Sequence, residues 1–95
     1  MSKLNTKTAR EIIYRVCAQH THFSFEEIRD DLTLDDLGLD DTSKLVIHKD
    51  IVQFVEHSGY RTAFSVEDIR DATTVGDMIP PLVQGTDSGG PKYRP

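Results

Sequence analysis

Carboxylates dominate the chemistry that this chain can offer, and half of them lie in one short segment. Residues 25–41 contain eight acidic side chains and a single basic one, Arg29. Clustered carboxylate oxygens can bind a divalent cation, but an EF-hand loop also requires alternating oxygen donors, a central glycine and a terminal glutamate. Gly38 does not lie at the central position of such a loop. We therefore expect diffuse cation binding that offsets carboxylate repulsion, and no dedicated metal site.

A second group of reactive side chains consists of Cys17, His20 and His22. Helical spacing places Cys17 and His20 near an apolar stripe, and no fourth metal ligand lies nearby in the sequence. A small buried thiol needs no chemistry to explain it, and no histidine is spaced so as to activate it as a nucleophile. Because the chain also lacks a glycine-rich phosphate loop and a paired nucleophile and base, we expect no enzymatic activity of its own.

Composition limits the remaining classes of function. With 95 residues, 37% hydrophobic and 28% charged, the chain is one globular domain without an apolar run long enough for a membrane span. No signal segment opens the sequence and Cys17 is its single cysteine, so we expect a cytoplasmic monomer. The net charge of −5 favours a positively charged partner surface over nucleic acid or a membrane.

Two long helices are predicted from apolar spacing. Residues 6–20 carry apolar side chains at the i, i+3, i+4, i+7 and i+8 spacing of one helical face. In residues 43–58 a second apolar arc includes Leu45, Phe54 and Val55, with His48 inside it, and Gly59 follows as a left-handed cap. Asp40 and Asp41 precede this helix, where carboxylates satisfy free amides and meet the positive end of the helix dipole.

The rest of the chain divides into a loop, two short helices and a tail. The acidic loop between the long helices holds leucines that we expect to anchor it: Leu32, Leu34, Leu37 and Leu39. Ser24 and Ser65 each begin a capping pattern, and the second opens a short helix through Asp71. A last helix from Thr73 is expected to be very short or bent at Pro80-Pro81. No strand pattern is evident, so residues 1–83 are predicted as a helical domain and 84–95 as a flexible tail.

Two motifs and the order of the helices resemble the acyl carrier protein family over residues 6–82. The motifs are Asp36-Leu37-Gly38-Leu39-Asp40 and Thr73-Thr74-Val75-Gly76-Asp77. The resemblance implies an all-α, four-helix bundle with a short third helix. It also implies a cleft that holds an acyl chain, so His48 is either a satisfied core histidine, which we favour, or a residue that lines this cleft.

The resemblance fails at one critical position. In carriers a serine follows the first motif and bears phosphopantetheine, whereas this chain has Asp41 there, followed by Thr42. A carboxylate lacks the hydroxyl from which a phosphodiester is built, so we expect no cofactor. Thr42 and Ser43 are fallback attachment residues, although two residues rotate Ser43 about 200° around the helix. We expect Asp41 to cap the helix, with mimicry of the phosphate charge as the alternative.

These considerations leave three hypotheses for function. The first is a carrier-like binding module that docks on a synthase or transferase of fatty-acid, polyketide or peptide biosynthesis through the partner's basic surface. The second is a working carrier with phosphopantetheine on Ser43 or Thr42. The third is a general adaptor or regulator on a carrier-like fold. The second helix is less acidic than in the family, so docking is assigned mainly to the loop, and the expected contact residues are Asp35, Asp36, Leu39, Asp40, Lys44, Lys49 and Gln53.

Overall fold

The computed structural model of the chain describes residues 4–88, and these form a mostly helical fold. Helix α1 pairs with α2, and the short helices α3 and α4 pack on α2 and α1 respectively. Two single 3₁₀ turns, Phe25–Glu27 and Val75–Met78, lie in the connections. The helices are α1 (Thr6–His20), α2 (Asp41–His57), α3 (Val66–Arg70) and α4 (Ile79–Gln84), and the strands are β1 (Tyr60–Thr62) and β2 (Thr86–Ser88).

The two long helices follow the predicted apolar stripes. Helix α1 begins at the N-cap Asn5, whose side chain accepts a hydrogen bond of 2.8 Å from the amide of Thr8. The apolar residues of the α1 stripe are all buried, and α2 packs on α1 with Ile47, Ile51 and Val55 buried. The loop between them adds Leu34, Leu37 and Leu39 to the same core, so the leucines anchor the loop as expected.

A small antiparallel sheet corrects the all-α prediction. Strands β1 and β2 pair with Tyr60 opposite Ser88 and Thr62 opposite Thr86. The Thr62 and Thr86 hydroxyl oxygens lie 2.7 Å apart, and Thr86 is fully buried. Three-residue strands are too short to show a two-residue period, which is why the sequence pattern missed them.

The sheet also changes the outline of the C-terminal region. Composition predicts a flexible tail from residue 84, but Gln84 ends α4 and residues 86–88 are strand β2. The polar composition of this segment hid its pairing with β1. Residues 89–95 of the proposed tail lie outside the described residues.

Prolines begin α4 and do not bend it. Pro80 and Pro81 lie in its first turn, where backbone amides have no helical acceptor and a missing N–H costs nothing. Ile79 accordingly keeps helical backbone angles, φ −68° and ψ −51°, despite the proline that follows. The motif at Thr73 forms a 3₁₀ turn that leads into this six-residue helix. Within residues 4–88, no helix has the length and apolar character that crossing a membrane requires.

Candidate docking surface

Asp40, and not Asp41, caps helix α2. Asp40 has extended backbone angles, and its Oδ1 accepts a hydrogen bond of 2.8 Å from the amide of Ser43. This backbone hydrogen bond lowers the pKa of the Asp40 carboxyl. The expectation that Asp41 caps the helix is therefore wrong: an N-cap residue must have non-helical backbone angles, and Asp41 is already the first residue of α2.

The freed carboxylate of Asp41 is exposed at the N-terminal end of α2. Its neighbours in the first turn are the two fallback hydroxyl residues, of which Thr42 is exposed and Ser43 half-buried. A negative side chain at this point interacts favourably with the helix dipole. The first turn thus presents one carboxylate and one exposed hydroxyl to solvent, side by side.

A tight turn presents the other carboxylates of the loop. The amide of Gly38 donates to the carbonyl of Asp35 over 2.9 Å, and Gly38 has a φ of +76°, in the left-handed region that glycine tolerates. Leu37 and Leu39 point into the core, so Asp35 and Asp36 are left exposed. Leu39 was expected at the docking surface, but only 5% of it is exposed. Its apolar side chain anchors the loop and is not available to a partner.

The exposed face of α2 carries two apolar residues that the sequence analysis did not assign to docking. Leu45 is 47% exposed and Val46 is 41% exposed. Lys49 and Gln53 are exposed on the same face, whereas Lys44 is half-buried on the side nearer the core. The apolar arc predicted from the sequence includes Leu45, yet at about 100° per residue Leu45 lies roughly 120° from Ile51, the centre of the buried residues of α2. An apolar arc limited to the residues nearest Ile51 on the helical wheel excludes Leu45.

These residues together form what we name the docking face. It combines an acidic rim, formed by the exposed carboxylates of the loop and of the start of α2, with an exposed apolar pair on α2, and it includes five of the seven residues that the sequence predicts for docking. The docking face consists of Asp35, Asp36, Asp40, Asp41, Leu45, Val46, Lys49 and Gln53.

The other candidate groups have structural roles. Burial raises the pKa of the Cys17 thiol to about 12, so the reactive thiolate is absent near neutral pH. The Nε2 of His20 lies within hydrogen-bonding distance of the Asp50 carboxylate and so links α1 to α2. The Nε2 of His48 donates to the carbonyl of Phe64 over 2.8 Å, and the two rings stack. His48 is thus a satisfied histidine packed at the edge of the core.

Among the described residues, neither a metal site nor the groove beside α1 involves the docking face. In residues 4–88 no three metal-ligating side chains come together. An open groove of about 330 Å³ lies between α1 and the first 3₁₀ turn and is lined by residues such as Arg15, Ala18 and Phe25. No residue of the docking face lines this groove.

Comparisons of the chain with protein-family models, with curated proteins and with solved structures find no match. The carrier resemblance therefore depends on the two sequence motifs and on the order of the helices predicted from the sequence.

Proposed function

We propose that this chain is a carrier-like binding module that docks on an enzyme of fatty-acid, polyketide or peptide biosynthesis and bears no phosphopantetheine itself. One observation carries the proposal: an exposed carboxylate, Asp41, is the first residue of a capped helix at the point where the motif of carriers places its serine. The module presents the docking face to its partner but has no hydroxyl at the attachment position.

The chemistry of the docking face specifies the partner. The docking face has four exposed carboxylates, in the loop and at the start of α2, and the exposed Leu45 and Val46 on α2, so a complementary surface combines an apolar recess with lysine or arginine side chains. The apolar pair supplies area that is removed from water on binding, while the carboxylates orient the encounter. Lys49 and Gln53 extend the contact along α2 and accommodate a partner that is not uniformly basic.

The test is to restore the missing hydroxyl. We expect the Asp41→Ser variant to accept phosphopantetheine from coenzyme A when it is incubated with a broad-specificity phosphopantetheinyl transferase, and the wild-type chain to remain unmodified. Intact-protein mass spectrometry measures the added group. Asp35→Ser is the matched control, because it creates an exposed serine in the same acidic surface but in a turn instead of a helix N-terminus. This control variant is expected to stay unmodified.

Each alternative hypothesis has its own outcome. Modification of the wild-type chain, mapped to Thr42 or Ser43 by fragmentation, would overturn the proposal in favour of a working carrier. An Asp41→Ser variant that folds but is never modified would also overturn it. In that case the surface would have lost the features that transferases recognise, and the general adaptor hypothesis would replace the proposal.

A further inference from the structure

A cluster of hydrogen bonds around Asp30 joins α1 to the start of the acidic loop. The Asp30 carboxylate accepts from Arg10 Nε at 3.2 Å and Arg10 Nη2 at 3.1 Å, and from the Tyr14 hydroxyl at 2.6 Å. Arg10 and Tyr14 are one helical turn apart, so both donors face the same point. The side chains of Arg10 and Asp30 are 40% and 43% exposed, which leaves the pair near the surface.

The backbone of Asp30 makes a second connection, to the segment before α4. Its carbonyl accepts a hydrogen bond of 2.9 Å from the amide of Gly76. A Cβ at residue 76 would lie 3.0 Å from the Cβ of Asp30 and 3.1 Å from its carbonyl oxygen, so this close approach favours glycine, and a larger residue would push the two segments slightly apart. Asp30 is therefore the point at which α1, the loop and residues 73–77 meet. We call Asp30, Arg10, Tyr14 and Gly76 the Asp30 clamp.

A ladder of backbone hydrogen bonds continues from the clamp toward the docking face. The amide of Val75 donates to the carbonyl of Leu32 over 2.9 Å, and the amide of Leu34 donates to the carbonyl of Thr73 over 3.0 Å. Asp77 holds the facing segment by accepting from the amides of Thr73 and Thr74, at 3.0 Å each. Residues 30–34 and 73–76 are thus joined by hydrogen bonds into one paired unit.

The turn that carries the exposed carboxylates is built directly on this unit. The amide of Leu37 donates to the carbonyl of Thr33 over 3.2 Å, and the amide of Asp36 donates to the Thr33 hydroxyl over 2.9 Å. The amide of Leu39 donates a hydrogen bond of 3.2 Å to the carbonyl of Leu34. Every local hydrogen bond that shapes the turn therefore ends on Thr33, Leu34 or a residue of the turn itself.

We infer that Asp30 is a positioning residue for the docking face. Through the clamp and the ladder it holds the turn of Asp35 and Asp36 in one orientation relative to α2, although it does not itself belong to the docking face. A preorganised rim of charge avoids the ordering cost that a mobile loop would incur on binding. The consequence for binding rests on the proposed function, whereas the consequence for loop order does not.

Amide hydrogen exchange followed by NMR tests the effect on loop order. We expect Asp30→Asn to speed exchange of the Leu34, Leu37 and Leu39 amides about tenfold, because hydrogen bonds to a charged group are lost. The amide of Ala63, which donates to Gly85 beside the sheet, should keep its rate. Tyr14→Phe removes only the hydroxyl donor, keeps the ring against Phe25, and should give a smaller increase at the same loop amides.

The matched control is Glu67→Gln, which removes the charge of an exposed carboxylate hydrogen-bonded to Arg70 on α3 and should leave loop exchange unchanged. Unchanged loop rates in both clamp variants would overturn the inference. A uniform rise at the loop and at Ala63 would also overturn it, since that result would show a general loss of stability.

Kinetics with the transferase test the effect on docking. In the Asp41→Ser background, Asp30→Asn should raise the KM for the protein substrate about tenfold and leave kcat unchanged, because the rim is no longer preorganised. An unchanged KM would overturn the role of Asp30 in docking. If Asp41→Ser is not modified at all, the proposed function fails, and hydrogen exchange still decides whether Asp30 orders the loop.

Discussion

Carboxylates of one chemical type have two different roles in this chain. Asp30, Asp40 and Asp77 accept hydrogen bonds from the protein, and each of them has a lowered pKa. Asp35, Asp36 and Asp41 are exposed on the docking face. The first group shapes the loop and the helix start, whereas the second group is available to a partner. The aspartates of residues 30–41 therefore include both hydrogen-bonded structural carboxylates and exposed ones.

Acid sensitivity follows from the first group. Arg10 is the main cause of the lowered pKa of Asp30, and backbone amide donors are the main cause for Asp40 and Asp77. A carboxyl with a lowered pKa in the folded state adds stability above its unfolded pKa, here 3.8, and loses it as the pH falls through the folded pKa. We expect the free energy of unfolding in urea to fall steeply below about pH 4.

The matched variant for this prediction is Asp77→Asn, which keeps the size of the side chain and removes its titration. It should be less stable than the wild-type chain at pH 7, and the difference should shrink as the pH is lowered toward 3. Urea unfolding followed by circular dichroism measures both. A difference that is constant from pH 7 to pH 3 would contradict the assignment of acid sensitivity to these hydrogen-bonded carboxylates.

At the scale of elements, helix α2 has two faces with separate roles. Ile51 has no exposed surface, whereas Leu45 is 47% exposed on the docking face. We expect Ile51→Ala to lower the free energy of unfolding by about 2–5 kcal/mol, because it removes buried methyl groups and leaves a cavity. Leu45→Ala should change stability by about 0.5 kcal/mol or less, as exposed substitutions usually do. Chemical denaturation measures both variants.

The two faces of α2 can also be compared by the rate at which the transferase modifies each variant. In the Asp41→Ser background, Leu45→Ala should slow modification by the transferase, because it removes part of the apolar pair. Phe54→Ala is the control, since Phe54 is 37% exposed but is not part of the docking face. If Leu45→Ala destabilises the fold as much as Ile51→Ala, the side chain is buried in solution and the docking face as defined here is wrong.

The sequence predicts those elements whose interactions join residues close together in the chain, and it misses those that depend on distant residues. Helices α1 and α2 come from local apolar periods, and the capping pairs at Ser24 and Ser65 form as their three-residue spacing predicts. The strands could not be predicted in this way. Thr62 and Thr86 are 24 residues apart, and their pairing depends on tertiary packing that no local pattern encodes.

The sequence predicts the candidate docking surface only in part, for the same reason. The motif located the N-terminus of α2, but it could not decide which of two adjacent aspartates has the extended backbone of a cap. The sequence predicts Leu39 both as an anchor of the loop and as a contact residue, and its burial supports the first role alone. Side-chain direction in a non-helical loop depends on the surrounding core, so only the three-dimensional structure assigns it.

At the scale of the whole molecule, charge is distributed unevenly. Residues 25–41 carry half of the acidic side chains and a single basic one, whereas α1 has Lys7 and Arg15 exposed on its surface. The positive charge of Arg10 is paired with Asp30, so it does not neutralise the other carboxylates of the loop. The carboxylates of the docking face therefore belong to the most acidic segment of the chain. Their field acts over about 10 Å at 0.1 M salt and, under the proposed function, would steer a basic partner before contact.

Salt should consequently weaken docking more than it weakens the fold. For Asp41→Ser with the phosphopantetheinyl transferase, we expect kcat/KM to fall about tenfold or more between 0.02 M and 0.5 M sodium chloride, as screening shortens the reach of the acidic rim. Replacing both Asp35 and Asp36 with asparagine should flatten this dependence. The control replaces Glu67 with glutamine and Asp71 with asparagine, which changes the net charge equally on the exposed surface around α3. Equal salt dependence in the two double variants would show that overall charge, and not the acidic rim, guides the encounter.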